Sequence, residues 1–300
     1  MKIALTGATG FIGRRFTQLA TAAGHQIIAL TRNPGKPVPG CVETREYQLQ
    51  APLFLDGAEA VVHLAGESVA GLWTKKKRER ILESRVAGTR HVVRSILQMA
   101  APPRVLISAS AIGYYGDTGD AAKDEFSPAG GGFLSRVVQA WESAAAPVRE
   151  KRVRLVLPRV AIVYGRGGGA LEPISKAFNL GLGGRLGPGT QWIAWIHLDD
   201  LCRLLLFCLE SESVSGIVNG CSPNPVTNAE FTRTLAHVLH RPALLPVPAF
   251  ALRTLLGGFS AELLDSKRIV PRRTVEAGFT FKHPDLEPAL RDLLDCNGGL

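Results

Sequence analysis

Met1-Lys-Ile-Ala-Leu-Thr-Gly-Ala-Thr-Gly-Phe-Ile-Gly13 is the stretch on which the fold turns. Ile3, Ala4 and Leu5 form the short apolar run of a strand buried on both faces. Gly7, Gly10 and Gly13 follow at G-x-x-G-x-x-G spacing, and Arg14 to Ala23 reads as a helix. Strand, glycine turn and helix in this order make an anion cradle. The glycines allow a tight turn and a close approach of backbone to a pyrophosphate. The helix N-terminus adds free N–H groups and the positive end of its dipole. A glycine triplet alone is weak. This one has a strand before it, a helix after it and a second strand, His25 to Thr31, on schedule, so it predicts a dinucleotide site.

A dinucleotide fold brings the end of the second strand to the adenosine ribose, roughly 20 residues after the glycines. An acid there accepts from the ribose 2′-hydroxyl. No Asp or Glu lies between Gly7 and Cys41, and the strand ends in Thr31-Arg32 instead. An arginine fork matches a 2′-phosphate. The expected cofactor is therefore NADP(H) rather than NAD(H).

The bulk numbers narrow the class. With 300 residues, 46% hydrophobic and 20% charged, the chain has ample core for an α/β protein. No apolar run reaches the ~18 residues of a membrane span, and the N-terminus enters a strand directly, so a signal peptide is not expected. The five cysteines are odd in number and lack C-x-x-C spacing. That pattern suits free thiols in a reducing cytoplasm, not a disulfide frame or a zinc site. The formal charge of +9 includes local clusters at Lys75-Lys76-Lys77-Arg78, Lys267-Arg268 and Arg272-Arg273. No nucleic-acid motif surrounds them, so solvated faces are the expectation.

Strands and helices then alternate. Residues 42–50 are a candidate edge strand, and Ala60 to Gly66 a fourth strand. Lys75 to Met99 reads as a long helix with Arg85 on its apolar stripe, where a charge needs a cofactor phosphate or a buried acid. Val105 to Ser108 is a fifth strand, and Ser108 to Gly116 leaves its carboxyl end carrying Ser110, Tyr114 and Tyr115. Phe133 to Arg149 reads as a helix and Arg154 to Val163 as a sixth strand. This alternation implies an α/β fold with a Rossmann-like, doubly wound parallel sheet. Residues 165–191 are loop-rich, with a short helix over 170–180. Trp192 onward reads as a strand, an Asp199/Asp200 cap and the helix Leu201–Leu209. Gly216 to Asn219 is a last strand, Thr227 to Glu230 a capping box, and Leu286–Leu294 a final helix capped by Asp285. Pro246–Phe259 and Ser260–Ile269 read as further helical segments. The expected division is a dinucleotide-binding domain over 1–164, its sheet completed within 192–220, with a smaller C-terminal substrate lobe from 165–191 and 221–300.

The opening G-A-T-G-F-I-G, Leu64-Ala65-Gly66-Glu67, Ser84-Arg85-Val-x-Gly88-Thr89 and Ser108-x-Ser110 before Tyr114-Tyr115-Gly116 resemble the extended short-chain dehydrogenase/reductase superfamily. Trp141-Glu142, Gly165-x-Gly-Gly-Gly169, Trp195-Ile-His-Leu-Asp-Asp200, Pro225-Val-Thr-Asn-Ala-Glu-Phe231, Pro246-x-Pro248 and Val270-Pro-Arg-Arg273 are similar to its atypical branch, the epimerase-family, nucleoside-diphosphate-sugar epimerase-like proteins. The resemblance spans essentially the whole chain. It implies that Gly7, Thr9, Gly10, Phe11, Ile12 and Gly13 meet the pyrophosphate and Thr31 and Arg32 the 2′-phosphate. It also implies that Leu64 and Ala65 line the cofactor and that Val163 contacts the nicotinamide. Arg85 stands where ordinary members carry Asn. A homodimer through two helices of the sheet layer is implied in the same way.

The departure lies in the chemistry. Ordinary members carry Tyr-x-x-x-Lys on the helix after the fifth strand, where the ammonium helps lower the Tyr pKa for proton exchange. Here tyrosines occur only at 47, 114, 115 and 164, none with Lys four residues on. Leu134 and Val138 fall where the pair would stand if Glu142 is the anchor. Ser110 and Tyr115 are the catalytic candidates at the switch point, and strand-end capping and ring packing are their bland alternatives. His197 reads as a buried structural histidine. Three functions stay open. One is an NADP(H)-dependent oxidoreductase on a carbonyl or alcohol of a small substrate. The others are a sugar-nucleotide epimerase or dehydratase and a non-catalytic NADP(H) sensor. Neither nucleic acid nor membrane is an expected partner.

Overall fold

The computed structural model describes residues 1–294, so Cys296 lies outside the described residues. The apolar runs become parallel strands packed edge to edge. They are β1 (Lys2–Thr6), β2 (Gln26–Thr31), β3 (Glu43–Glu46), β4 (Ala60–His63), β5 (Val105–Ser108), β6 (Arg154–Val160) and β7 (Gly216–Gly220). Their order across the sheet is β7-β6-β5-β4-β1-β2-β3. Ser110–Ala111 adds two residues beside Arg159 and Val160. β1 is the pivot: the chain runs outward one way through β2 and β3, then returns through β4 to build the other side. The reversal places a crevice beyond the carboxyl ends of β1 and β4, where ligands of such sheets bind.

Both faces are covered, which is why the inner strands are mostly apolar. The helices are α1 (Phe11–Ala22), α2 (Lys75–Gln98), α3 (Phe133–Ala145), α4 (Leu171–Asn179), α5 (Leu198–Glu210) and α6 (Asn228–Leu239). Ile3 and Leu5 of β1 pack with Phe16 of α1 and with Leu201 and Leu205 of α5. Ala4 and Ile28 face the other way, toward Val92 and Ile96 of α2 and Ala145 of α3. Alternate residues of one strand thus enter two cores, as the two-residue period requires.

The segment read as one strand, Arg154 to Val163, breaks at Ala161. Its N–H still reaches Gly220, but the N–H of Ile162 reaches Ala194. The chain there leaves the central sheet. Ile162–Gly165 pairs with Trp195–His197 and Gly168–Gly169 in a small second sheet. Trp192–Ile193 pairs with Val226–Thr227. Of residues 192–220, only Gly216–Gly220 joins the central sheet. A further core forms around this second sheet, where Tyr164 stacks on Trp195 and Phe231 with ring centroids 6.1 and 5.4 Å apart.

Three boundaries differ from the sequence reading. α5 begins at Leu198, and its N-cap is His197, whose Nδ1 accepts from the N–H of Asp199; neither aspartate caps it. Asp199 instead holds Arg15 through two hydrogen bonds of 2.7 and 2.8 Å. Asp200 is fully buried and accepts from the backbone N–H of Lys282 and His283. α3 tightens into a 3-10 turn over Ala146–Lys151, where Pro147 removes a donor. The helical segments near the C-terminus are shorter than expected, Ala249–Leu256 and Ser260–Leu264.

Candidate functional site

The glycine turn sits at the carboxyl end of β1. The N–H of Gly10 donates to Gly7 O at 2.9 Å, closing the turn. A Cβ on Gly13 would lie 2.1 Å from Gly7 O, so only glycine lets α1 start against the turn. Gly7 has φ +77° and lies against the backbone of Leu64 and Ala65. The N-cap residue, Gly10, has no side chain, and the first turn of α1 carries no acid. The first-turn N–H groups therefore face outward with nothing of the chain's own to neutralise them, a fit for a phosphate. Phe11, Ile12, Leu64 and Val163 each pack against the same core. The structure thus brings the predicted pyrophosphate, lining and nicotinamide positions around one crevice.

The wall opposite the turn is pinned from inside. Thr6 Oγ1 accepts from the N–H of Leu64 and Ala65, both at 3.1 Å, and bonds His63 Nδ1 at 2.7 Å. With both N–H groups on its oxygen, the hydroxyl donates its proton to the imidazole, which carries its own hydrogen on Nε2. Burial holds the His63 pKa down to about 4, with His91 adding to the shift, so the ring is neutral.

At the end of β2, Thr31 is half-buried and Arg32 exposed. Among the described residues no hydrogen bond or ion pair engages the Arg32 guanidinium. It is available to a 2′-phosphate. Arg85 is half-buried. Its Nη1 donates to the carbonyls of Glu67 and Ile81, and its guanidinium lies 5.1 Å from the Trp141 ring centroid. No carboxylate pairs with it among the described residues, and burial lowers its pKa to about 10. The side chain borders Gly66, just beyond β4. The basic start of α2 is occupied locally: Thr74 caps it and Lys77 pairs with Glu67 at 2.8 Å.

The switch-point hydroxyls lead into a buried polar network. Ser110 is 3% exposed and donates to Glu142 Oε1 at 2.6 Å. Arg159, 1% exposed, grips both oxygens of Glu142 at 2.8 Å. The same guanidinium donates to Tyr115 Oη at 3.0 Å and lies 3.3 Å from the Tyr114 ring centroid. Tyr115 donates to Asn219 Oδ1 at 2.8 Å, and Glu125 accepts from the N–H of Asn219 and of Arg273. Burial works against the charge on Arg159, yet Glu142 and Tyr115 outweigh it and raise its pKa. Burial also pushes the Tyr115 pKa up to about 12.

The Tyr115 hydroxyl is bonded on both sides within the protein, to Asn219 and to Arg159, so it helps to position Arg159. Glu142, Arg159, Asn219 and Glu125 were not recognised in the sequence as site residues. Leu134 and Val138, where the Tyr/Lys pair was sought, pack against Gly113. That helix face is filled by apolar contact. Trp141 is core, with its indole N–H on Thr89. His197 is buried and stacked on His283, ring centroids 3.9 Å apart. The Gly167–Gly169 loop closes on the phosphate turn: Cβ atoms on Gly168 and Gly169 would meet the Phe11 ring at 2.8 and 2.7 Å.

Strand order, cradle and switch point together define a dinucleotide-binding protein of Rossmann type. Residues 3–219 match the NAD dependent epimerase/dehydratase family, and the chain belongs to it, in the atypical extended branch. Residues 247–293 match a domain of unknown function, DUF1731. An Arabidopsis thaliana relative, the chloroplastic homologue of the epimerase family protein SDR39U1, is 40% identical over 98% of this chain and 87% of its own. The human SDR39U1 is 36% identical over 98% of this chain and its full length. Its isoform 2, crystallised with NADPH, superposes with a TM-score of 0.89 at 34% identity, covering 98% of this chain and 99% of that one. That ligand agrees with the NADP(H) expectation. A nucleoside-diphosphate sugar epimerase from Corynebacterium glutamicum superposes at 0.80 with 32% identity, covering 97% of this chain and 57% of that one. Among the described residues no helix is long and apolar enough to cross a membrane.

Proposed function

We propose that this protein binds NADP(H) and interconverts an alcohol and a carbonyl on a small substrate, with Ser110 and Glu142 handling the proton. The bound nicotinamide supplies the hydride acceptor or donor. The observation that carries the reading is the 2.6 Å hydrogen bond from Ser110 to a carboxylate held by Arg159. Because the Ser110 proton points to Glu142, its oxygen is free to accept from a substrate hydroxyl. As that hydroxyl loses its proton to Ser110, Ser110 passes its own to Glu142. Arg159 orients the carboxylate, and Tyr115 with Asn219 holds Arg159. In the reverse direction the proton returns by the same two steps. This pair stands in for the missing Tyr and Lys.

The basic clusters near the C-terminus support a small-molecule role over a nucleic-acid one. Lys267 is buried with its ammonium on Gly116 O, Arg268 lies over Trp192, and Arg273 binds the carbonyls of Ile217 and Ser215. Cys202, Cys208 and Cys221 are buried free thiols, which suits a reducing compartment such as the cytoplasm.

A panel of aldehydes and ketones, followed by loss of NADPH absorbance, tests the reading. Ser110→Ala should cut turnover on any carbonyl found by about 10²–10⁴-fold while NADPH affinity holds. Full turnover in Ser110→Ala sinks the assignment. Conversion of a nucleotide sugar to its epimer without net NADPH change would favour the epimerase reading instead.

A further inference from the structure

Alternate residues of the strand Ile162–Gly165 face different compartments. Val163 packs against the core that Phe11 also borders, on the side of the phosphate turn. Ile162 and Tyr164 face a cavity of about 380 Å³ between α4, α6 and the segments 182–193 and 262–267. That volume lies within the usual range for small-ligand sites. Its body is apolar: Ile174, Phe178, Trp192, Ile193 and Phe231 line it with the two strand residues.

One end of the cavity is polar and carries acceptors. Gln191 is buried, and its amide nitrogen donates to the carbonyls of Leu186 and Leu263 while its Oε1 has no partner. The Glu262 carboxyl has no hydrogen bond or ion pair among the described residues, and burial raises its pKa. Asp265 lies beside it, also raised by burial. The one cation in the lining is Lys267, and its ammonium donates to Gly116 O at 2.8 Å and stands 3.8 Å from Asp265. That bond ties the polar end to the turn that follows Ser110.

The buried, unpaired Gln191 Oε1 is costly until a donor meets it. A nucleoside diphosphate would bring its charge against two carboxylates with no unpaired cation to receive it. An apolar body ending in a hydroxyl or amine would fill the cavity and satisfy the acceptors.

We infer that this cavity, which lies apart from the cofactor crevice, receives a largely apolar ligand ending in a hydrogen-bond donor, an alcohol or amine without phosphate. The inference goes beyond the oxidoreductase reading and does not depend on it.

Nile red, a neutral apolar dye, reports the cavity by fluorescence, with NADPH titrated in parallel. Primary alkanols and alkylamines of increasing length should displace the dye. Affinity should rise about fourfold per methylene until the cavity is full. UDP-glucose should leave the dye in place. Ala177→Phe, which fills the cavity, should weaken decanol at least about tenfold with NADPH affinity unchanged. Should that variant fail to fold, Leu182→Asp, an exposed position on the same lining, should weaken decanol in the same direction. Displacement by UDP-glucose but not by decanol overturns the inference, as does the absence of a chain-length trend. If the trend holds and NADPH does not bind, the cavity assignment stands and the oxidoreductase reading falls.

Discussion

Glu142→Gln is the sharpest perturbation of the buried network. The substitution keeps the shape of the side chain and removes its charge. Arg159 is then left in the interior, 1% exposed, with a bidentate partner that has lost one acceptor. Breaking a buried pair from one side costs about 3–5 kcal/mol, because the remaining charge is uncompensated. The Glu142 side chain keeps 11% exposure, so water softens the loss and about 3 kcal/mol is the expected figure. For a chain of this size that corresponds to a fall of roughly 5–10 °C in melting temperature. Thermal melts followed by circular dichroism read it directly. Arg159→Met removes the orphaned charge, so the double variant should lose clearly less than the two single losses summed, with coupling of about 2 kcal/mol or more. A Glu142→Gln protein melting within about 2 °C of wild type, or strictly additive losses, would refute the reasoning.

Three further outcomes are expected. Gly13→Ala drives a methyl into Gly7 O, where the gap is 2.1 Å; it should cost about 2 kcal/mol or more of stability, and calorimetry should show no NADPH binding. His63 is neutral in the fold, with its pKa at about 4 against 6.5 when free, so the unfolded chain binds its proton first. Its contribution is complete above pH 6.5 and is lost as pH falls toward 4, up to about 3 kcal/mol. The stability difference between wild type and His63→Gln should therefore change across that window, and a flat difference would contradict it. Arg15 lowers the pKa of Asp199 by its hydrogen bonds and its charge, so that pair stabilises above the ordinary Asp pKa and fades as pH falls through the lowered value. Both side chains are partly exposed, so Arg15→Ala should cost under about 1 kcal/mol near neutrality and less in acid; urea melts at both pH values check this.

The fold was legible because its punctuation is local. The glycine triplet, the apolar runs of β1, β4 and β5, and the helical period of α2 each follow from a few adjacent residues. The end of β2 was legible through an absence in the sequence, since no Asp or Glu lies between Gly7 and Cys41. The break at Ala161 was not, because the residues on both sides are equally apolar and only the change of partner, from Gly220 to Ala194, makes the bend. His197 displaced the two aspartates as cap because the helix starts earlier than their spacing suggested and an imidazole nitrogen accepts as well as a carboxylate. Asp200 is instead used by Lys282 and His283, more than eighty positions away in sequence. The proposed proton-handling pair was half visible. Ser110 stood out at the switch point, but Glu142 sits on a helix that reads as core. The signal overlooked was Arg159, a charge inside an apolar strand, which demands a buried partner. The closure of Gly168 and Gly169 on Phe11 left no local trace, since glycines in a loop look alike whether they turn or pack.

The most direct test is calorimetric titration of NADPH and NADH into the wild-type protein and Arg32→Ala. A charge-assisted hydrogen bond to a phosphate at an exposed site contributes about 1.5 kcal/mol, or roughly tenfold. Wild type should bind NADPH more tightly than NADH, and Arg32→Ala should lose about tenfold for NADPH alone, closing the gap. Equal affinities in wild type would contradict the cofactor assignment, and the absence of binding by either dinucleotide would reduce the glycine turn to a scaffold.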